Sequence, residues 1–274
     1  MPIPAVLSRL DPRHLSPRRR TLILNVIVLV AVAGLGASLA LVRCGGRPTA
    51  LPPQDRPGTV VLIPGYGGST SSLNLLADAL HHIGRTTMVV SLPDGGTGDL
   101  RRQADTVDGY VAKALRAGAP SVDVVGYSAG GVVARLWARD HDGTHKARRI
   151  VTLGSPHHGA DVAAAGAAAL PDACPTACQQ LAPGSTLLAG LSGPVTSPPQ
   201  WMSVWTDQDQ TVTPPDSARL DGAVLNVVVQ SVCPGRPVTH SQLPADAAVT
   251  TIVEGALGAG PMGIPPHRAA CVSS

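Results

Sequence analysis

The sequence contains no phenylalanine, and its 274 residues include only three tryptophans and three tyrosines. Because 44% of the residues are nonetheless hydrophobic, the core must be built almost entirely from aliphatic side chains. Charged residues are also scarce, at 14%, and the formal net charge is only +3. Ample apolar content with a small net charge excludes a disordered polyelectrolyte. The 30 glycines and 26 prolines exclude a long coiled coil, because both residues destabilise helix interiors.

Basic residues are concentrated at the N-terminus of the chain, and those further along form no stripe. Seven of the 21 basic residues and one of the 18 acidic residues lie in residues 1–50, which leaves 14 basic and 17 acidic residues in 51–274. The body of the chain is therefore mildly acidic and has no basic stripe. A nucleic-acid partner is not supported, because binding to phosphates requires clustered lysine and arginine.

One long run without charge follows the basic N-terminal residues 1–20. Thr21–Val42 has 22 residues, and as a helix it would be about 33 Å long, enough to cross a bilayer. The arginines before it predict a cytoplasmic N-terminus. The run is either an uncleaved anchor or a long signal peptide cut near Ala40 or Ala50, and we favour the anchor because the run is longer than a usual signal core. Both interpretations predict an extracytoplasmic body, either attached to the cell membrane or secreted.

The five cysteines agree with export. Cys44 lies at the predicted membrane edge, and the other four allow three disulfide pairings. The simplest set joins Cys174 to Cys178 and Cys233 to Cys271. A zinc site is the rival interpretation, but the spacing of the first pair and the lack of a second CxxC or a paired histidine argue against it. We therefore expect no metal.

The body has the alternating pattern of an α/β protein. Residues 43–58 are rich in glycine and proline and form a predicted linker, and residues 59–274 form the predicted domain. Short β-branched runs alternate with helical patterns, which predicts a mostly parallel sheet with helices on both faces. Residues 160–200 break the alternation, and we interpret them as a cap-like insertion. The predicted strands are Thr59–Ile63, Thr86–Ser91, Val122–Val125, Arg149–Leu153, Met202–Thr206 and Val224–Gln230, and the predicted helices are Ser71–His82, Asp99–Ala117, Gly130–Asp142 and Thr250–Leu257.

The strongest chemical signal is the G-x-S-x-G motif at residues 126–130. It directly follows a predicted strand and precedes a predicted helix, which is the context that a nucleophile elbow requires. The flanking glycines suit the tight turn, because a Cβ there would collide with the adjoining strand or helix. Ser128 is therefore the predicted nucleophile. The helix N-terminus behind it favours negative charge on a bound oxyanion.

A second glycine-rich segment, Pro64–Ser69, follows the first predicted strand. Small residues there allow main-chain N–H groups to face a pocket. An oxyanion hole needs two such donors, and the candidates are the N–H groups of Tyr66 and of Ala129, the residue after the nucleophile. A phosphate-binding loop is a poorer interpretation, since no Gly-Lys-Ser/Thr follows.

The acid and the base are predicted from chain order. The strand that ends near Trp205 is followed by Asp207 and Asp209, and either carboxylate is suitably placed to orient a histidine. His240 comes after the next strand, so Ser128, Asp209 and His240 occur in the order found in α/β-hydrolases. His267 is the alternative late histidine.

These segments resemble the small secreted bacterial lipases of the α/β-hydrolase superfamily, namely the triacylglycerol lipases of class 2. The resemblance extends over about residues 58–257 and does not cover residues 1–50. In that family the Asp-x-x-Val-x-Pro block begins with the triad acid, which favours Asp209 over Asp207. The matching blocks are IPGYGGS at 63–69, GYSAGG at 126–131, VTLGSPHHGAD at 151–161, DQTVTPPDSARL at 209–220 and VTHSQL at 238–243.

The resemblance implies an α/β-hydrolase fold and a lipase or esterase that hydrolyses carboxylic esters through an acyl-enzyme intermediate. It implies an ester or lipid substrate and a Ser128–Asp209–His240 triad, with no metal or organic cofactor. The N-terminal segment would supply the contact with the membrane. Three other functions remain open: an acyltransferase that uses the same three residues, an inert surface-binding protein on a hydrolase scaffold, and a peptidase. For the peptidase, nothing in the sequence suggests a charged or aromatic specificity pocket.

Overall fold

The computed structural model describes residues 16, 18, 21, 23, 25–31, 50–169, 171–263 and 271. Residues 25–31 are helical. Among the described residues, no helix has both the length and the apolar character needed to cross a bilayer. The predicted span Thr21–Val42 lies partly outside the described residues, as do the predicted cytoplasmic segment 1–20 and the first part of the linker 43–58. The choice between anchor and signal peptide therefore stays a prediction.

The residues from Ala50 onward form a compact unit of their own, built on a six-stranded sheet. All neighbouring strands are parallel, which confirms the predicted parallel sheet. Their order across the sheet is β2-β1-β3-β4-β5-β6. The strands are β1 (Thr59–Ile63), β2 (Thr87–Val89), β3 (Val122–Tyr127), β4 (Ala147–Leu153), β5 (Gln200–Trp205) and β6 (Leu225–Val228).

Helices follow most of the strands, and the four predicted ones are present. The prediction for Ser71–His82 has the observed limits, and the other three differ from the structure by one to three residues at an end. The helices are α1 (Ser71–His82), α2 (Leu100–Arg116), α3 (Ala129–Asp140), α4 (Gly143–Lys146), α5 (Asp161–Ala169), α6 (Thr176–Gln180), α7 (Thr186–Ala189), α8 (Val229–Val232) and α9 (Ala247–Ala256).

The sheet is covered on both faces, as predicted. On β1, Val60 and Leu62 pack in the cluster that holds the buried residues of α1 and α9, whereas Val61 and Ile63 pack in the cluster of α2 and α3. This arrangement follows from the alternation of side chains along a strand. Both faces of β1 are apolar because both are buried, which is the pattern expected of an internal parallel strand.

The six predicted strands are all present, and five of them have ends that differ from the prediction by one or two residues. The last strand ends at Val228 rather than Gln230, because the chain turns into α8 and the Gln230 amide donates hydrogen bonds to the Thr206 hydroxyl and the Arg236 carbonyl. Residues 160–200 contain three short helices, α5, α6 and α7, for which no pattern was recognised. The many alanines and glycines of this segment give it no clear polar face.

The amino edge of the sheet carries a buried ionic cluster, formed by Asp123, Arg85, Arg148 and Arg149. Asp123 is fully buried and accepts hydrogen bonds from Arg85 at 2.5 Å and from Arg148 at 2.6 and 3.0 Å. All three arginines also donate to main-chain carbonyls just past or at the end of α9. Burial, and then the neighbouring Arg148, lower the pKa of Arg149 to about 10. Cations at a helix C-terminus are favourably placed, so the cluster attaches α9 to the sheet.

Candidate active site

Ser128 occupies the sharp turn between β3 and α3, at the carboxyl edge of the sheet. Its φ of 52° and ψ of −126° are unusual for a residue with a side chain. A Cβ on Gly126 would lie 2.6 Å from the Gly130 carbonyl oxygen, and one on Gly130 would lie 2.6 Å from the carbonyl oxygen of Pro64. The turn therefore forms only with glycines at these two positions, which is the reason for the motif.

His240 reaches Ser128 from a short 3₁₀ turn, His240–Gln242. Its Nε2 lies 3.0 Å from Ser128 Oγ, within hydrogen-bond distance. The turn begins with a capping box, in which Thr239 and Gln242 exchange hydrogen bonds between side chain and main chain. Two residues that are 112 positions apart in the chain thus meet at the carboxyl edge of the sheet.

Asp209 is the carboxylate that the structure brings to His240. Its Oδ2 lies 2.7 Å from His240 Nδ1, and its Oδ1 accepts hydrogen bonds from the N–H groups of Thr211 and Val212 at 2.9 and 2.8 Å. Both Asp209 and His240 are buried, at 5% and 7% exposure. Asp207 is exposed, and its N–H is bonded to Gln230. Of the two carboxylates left open by the chain, Asp209 is the one within hydrogen-bond distance of His240.

The other histidines near the site have different surroundings. His157 is buried, and its Nε2 lies 3.1 Å from the Thr152 hydroxyl. Burial, with a smaller contribution from Arg135, lowers its pKa well below the usual value. His158 Nε2 lies 3.1 Å from the Arg219 carbonyl oxygen. His267 lies outside the described residues.

The loop after β1 packs directly against Ser128. A Cβ on Gly65 would lie 2.9 Å from Ser128 Cβ, so only glycine allows this close approach. The loop turns sharply through Gly67 and Gly68, which both have positive φ, and the Gly68 N–H donates to the Gly65 carbonyl at 3.0 Å. Tyr66 lines the same cavity as Ser128, and Ala129 is the first residue of α3. Both predicted oxyanion-hole donors thus belong to segments that adjoin Ser128.

A cavity of about 260 Å³ opens at Ser128 and Tyr66. Most of its other lining residues are apolar and come from the segment that includes α5 and α6, and from the loop that carries Asp209. These lining residues are Pro156, Ala160, Val162, Ala163, Cys178, Leu181, Thr211 and Val212. An acyl chain that extends from a carbonyl at Ser128 would enter a predominantly hydrophobic space.

The cysteines form the two predicted pairs, Cys174 with Cys178 and Cys233 with Cys271. Cys44 lies outside the described residues. The first disulfide lies against α5, because a Cβ on Gly166 would be 3.2 Å from Cys178 Sγ. In the part of the chain that the structure describes, no group of His, Cys, Asp or Glu residues is arranged to hold a metal ion.

Two residues around His240 were missed as site residues in the sequence. Gly154 has a φ of +55°, and a Cβ there would lie 2.6 Å from Leu243 Cδ1 and 3.1 Å from His240 Nδ1. Tyr127 places its ring against the imidazole, with centroids 5.2 Å apart. Gly154 directly follows β4, where a glycine is a recognisable signal of a special backbone conformation. Tyr127 stands inside the serine motif, but its contact with His240 is purely tertiary.

Comparisons with known proteins support the fold. The family model for palmitoyl protein thioesterases matches residues 59–189, a range that contains Ser128 but neither Asp209 nor His240. Lipase B of Aspergillus fumigatus aligns with a TM-score of 0.64 and 16% identity over 78% of this chain, which spans 56% of the length of that lipase. The mature form of the Bacillus licheniformis lipase BlEst2 aligns with a TM-score of 0.54 and 19% identity over 67% of this chain and 88% of its own. No curated protein matches the sequence.

The chain therefore has the α/β-hydrolase fold, as the resemblance predicted. At these identities the solved structures establish the fold alone. The roles of the individual residues depend on the geometry described above.

Proposed function

We propose that the protein is a serine hydrolase of carboxylic esters or thioesters with apolar acyl groups. The observation that carries this proposal is the hydrogen-bonded chain from Ser128 through His240 to Asp209, located at the mouth of an apolar cavity. The matches to a thioesterase family and to two lipases agree with it.

In the first step, His240 Nε2 takes the Ser128 proton as the hydroxyl oxygen attacks the ester carbonyl. The new C–O bond converts the carbonyl oxygen into an oxyanion. Asp209 accepts a hydrogen bond from His240 Nδ1–H, which selects the correct tautomer and stabilises the imidazolium as it forms. Two main-chain donors hold Asp209 in turn, so the carboxylate cannot rotate freely.

The oxyanion would be bound by the N–H groups of Tyr66 and Ala129. Each such donor contributes about 2.7–4 kcal/mol in enzymes where it has been removed. The dipole of α3 adds to this stabilisation, because its N-terminus begins directly after Ser128. His240 then gives its proton to the leaving alcohol or thiol, and the C–O or C–S bond to the leaving group breaks.

The acyl group remains on Ser128 until water replaces it. His240 removes a proton from the water, hydroxide adds to the acyl carbon, and the carboxylic acid leaves as Ser128 recovers its proton. These steps use only the three side chains, the main-chain donors and water. They do not require a metal or an organic cofactor.

The segment 160–200 is proposed to cap the acyl site. Val162 and Ala163 of α5 line the cavity, and so does Cys178, whose disulfide with Cys174 lies against α5 at Gly166. We expect the disulfide to stiffen this wall. Replacing both cysteines by serine should reduce the preference for long over short acyl chains, and an unchanged chain-length profile would contradict this role.

The two disulfides are typical of a protein that works outside the cytoplasm. We propose that the catalytic unit is extracytoplasmic. The basic segment 1–20 and the run Thr21–Val42 would direct the chain to the membrane and either remain as an anchor or be cleaved.

The proposal is tested by hydrolysis of p-nitrophenyl and thioester substrates with acyl groups from acetyl to palmitoyl. The full chain is produced in an oxidising compartment, alongside Ser128→Ala and a matched control, Ser231→Ala, whose hydroxyl donates only to the Val228 carbonyl. We expect turnover by the wild type and by Ser231→Ala, and a loss of about 10⁴-fold or more in Ser128→Ala.

A folded wild-type protein that hydrolyses none of these substrates would contradict the proposal. Transfer of the acyl group to an added alcohol, without hydrolysis, would instead identify an acyltransferase that uses the same residues.

A further inference from the structure

Tyr127 contacts His240 in two ways. Its ring lies against the imidazole, with the centroids 5.2 Å apart and the planes tilted by 34°. Its hydroxyl donates a hydrogen bond to the main-chain carbonyl of His240 at 3.2 Å. Because Tyr127 is bonded directly to Ser128, one side chain connects the segment of the nucleophile with the side chain and the backbone of the base.

We propose that Tyr127 is a positioning residue that holds His240 in line between Ser128 and Asp209. This inference rests on the proposed function of those three residues. It adds a fourth residue, for which the family match and the solved structures supply no role.

His240 needs such support because it belongs to a 3₁₀ turn of only three residues, His240–Gln242. The capping box of Thr239 and Gln242 orders this turn from within, but those contacts do not attach it to the sheet. Tyr127 is the last residue of the central strand β3 and packs on the apolar cluster that includes Leu243 of the same loop. A side chain on a rigid strand therefore attaches the loop to the sheet.

The structure argues against a direct chemical role for the Tyr127 hydroxyl. The hydroxyl is occupied by the His240 carbonyl. The described residues that line the cavity include Tyr66 and Ser128 but not Tyr127. Burial, and to a lesser extent the charge of Asp209, raise the pKa of Tyr127 to about 12, so the phenol remains a donor throughout the neutral range. Tyr127 acts through His240 and does not touch the substrate.

Two variants separate the contributions of the hydroxyl and the ring. Tyr127→Phe keeps the ring and removes the hydrogen bond, and Tyr127→Leu removes both the ring contact and the hydrogen bond while leaving an apolar side chain. Tyr110→Phe is the matched control, because the Tyr110 hydroxyl also makes a 3.2 Å hydrogen bond to the main chain, at the Ser91 N–H. Tyr110 is on α2, on the opposite face of the sheet from Tyr127.

The primary measurement is the rate constant for covalent labelling of Ser128 by a fluorophosphonate, since this reaction needs the Ser–His pair but no natural substrate. The kcat and KM for the best ester, and the urea midpoint of unfolding, are measured in parallel. We expect Tyr127→Phe to lower labelling and kcat about fivefold with KM unchanged. Tyr127→Leu should lower both by about 100-fold, as expected for a displaced catalytic group. Tyr110→Phe should react like the wild type.

The inference is overturned if both Tyr127 variants are labelled as fast as the wild type, per folded molecule. It is also overturned if kcat of the Tyr127 variants falls only in proportion to the unfolded fraction. The same holds if Tyr110→Phe lowers the labelling rate and kcat as much as the Tyr127 variants do. A wild-type protein that is labelled but hydrolyses no ester would contradict the proposed function only. The labelling rates of the variants would still test the role of Tyr127. A wild-type Ser128 that resists labelling would overturn both.

Discussion

The two edges of the central sheet use polar residues in opposite ways. At the amino edge, the carboxylate of Asp123 is fully buried and bonded to two arginines, which also bind carbonyls near the end of α9. At the carboxyl edge, Ser128 lines a cavity, and His240 Nε2 lies 3.0 Å from its hydroxyl oxygen. Polar groups at the first edge are bonded within the protein, whereas Ser128 at the second edge is partly exposed beside a cavity.

The buried carboxylates at the two edges have different kinds of partner. Asp209 is as well hydrogen-bonded as Asp123, but its partner is a histidine that can change its protonation state, and not an arginine that keeps its charge. Parallel sheets commonly place their sites at the carboxyl ends of the strands. The following substitutions test the comparison in order of expected effect.

The largest effect is expected for Asp209→Asn at the carboxyl edge. The amide cannot select the productive tautomer of His240, so kcat should fall about 10⁴-fold with little change in stability. Asp207→Asn is the matched control, because this carboxylate is exposed and two residues away. The kcat for ester hydrolysis by the two variants decides which aspartate supports His240. A greater loss of kcat in Asp207→Asn would assign that role to Asp207.

The next effect is expected at the amino edge, for Asp123→Asn. Arg85 and Arg148 would lose their buried carboxylate, which should lower the free energy of unfolding by about 3–5 kcal/mol. Urea denaturation measures this change. Asp105→Asn, at an exposed ion pair with His141, should change stability by less than about 0.5 kcal/mol. Equal changes in the free energy of unfolding for the two variants would contradict a stabilising role of the ionic cluster.

Gly154→Ala tests the close packing of the backbone against His240. The added Cβ would meet Leu243 at 2.6 Å and the His240 ring at 3.1 Å, on a backbone with positive φ. We expect kcat to fall about 100-fold, since a small displacement of a catalytic group has an effect of that size. Gly118→Ala is the control, because its φ is also positive but its Cβ would meet no other atom. Comparable losses of kcat in both variants would point to backbone strain and not to His240.

The smallest effect is a pH dependence that comes from His157. Because burial lowers the folded-state pKa of His157 below 6.5, its contribution to stability is present above that pH and is lost as the pH falls below it. The loss is on the order of 1 kcal/mol per pH unit. His157→Gln should flatten this part of the acid unfolding profile, and His158→Gln, at its exposed neighbour, should not. Identical profiles for the wild type and His157→Gln would exclude His157 as the cause.

The fold was largely predictable, because burial on both faces of β1 leaves a continuous apolar run, and shorter apolar runs mark β3 and β4. The helix α2 was equally clear, since its buried positions recur at helical spacing. The helices of 160–200 were not predicted, because alanine-rich turns show little contrast between an apolar and a polar side. The end of β6 was missed because hydrogen bonds of Gln230 to distant residues decide it.

The residues of the candidate site were predictable to different degrees. Ser128 was marked by local geometry, since its turn requires glycine at two fixed positions. The choice of Asp209 over Asp207 came from a resemblance, and the chain alone left both open. The support of His240 by Gly154 and Tyr127 could not be predicted, because both contacts join residues more than 80 positions apart.

Local sequence patterns encode the alternation of strands and helices, the serine turn and the order of the candidate residues along the chain. These features depend on local conformation and on periodic burial, which neighbouring residues encode. Tertiary packing fixed which histidine lies at Ser128, which carboxylate bonds to that histidine, and which other residues contact it. Those contacts depend on distances between remote segments, and such distances are set when the strands align in one sheet and their carboxyl ends converge.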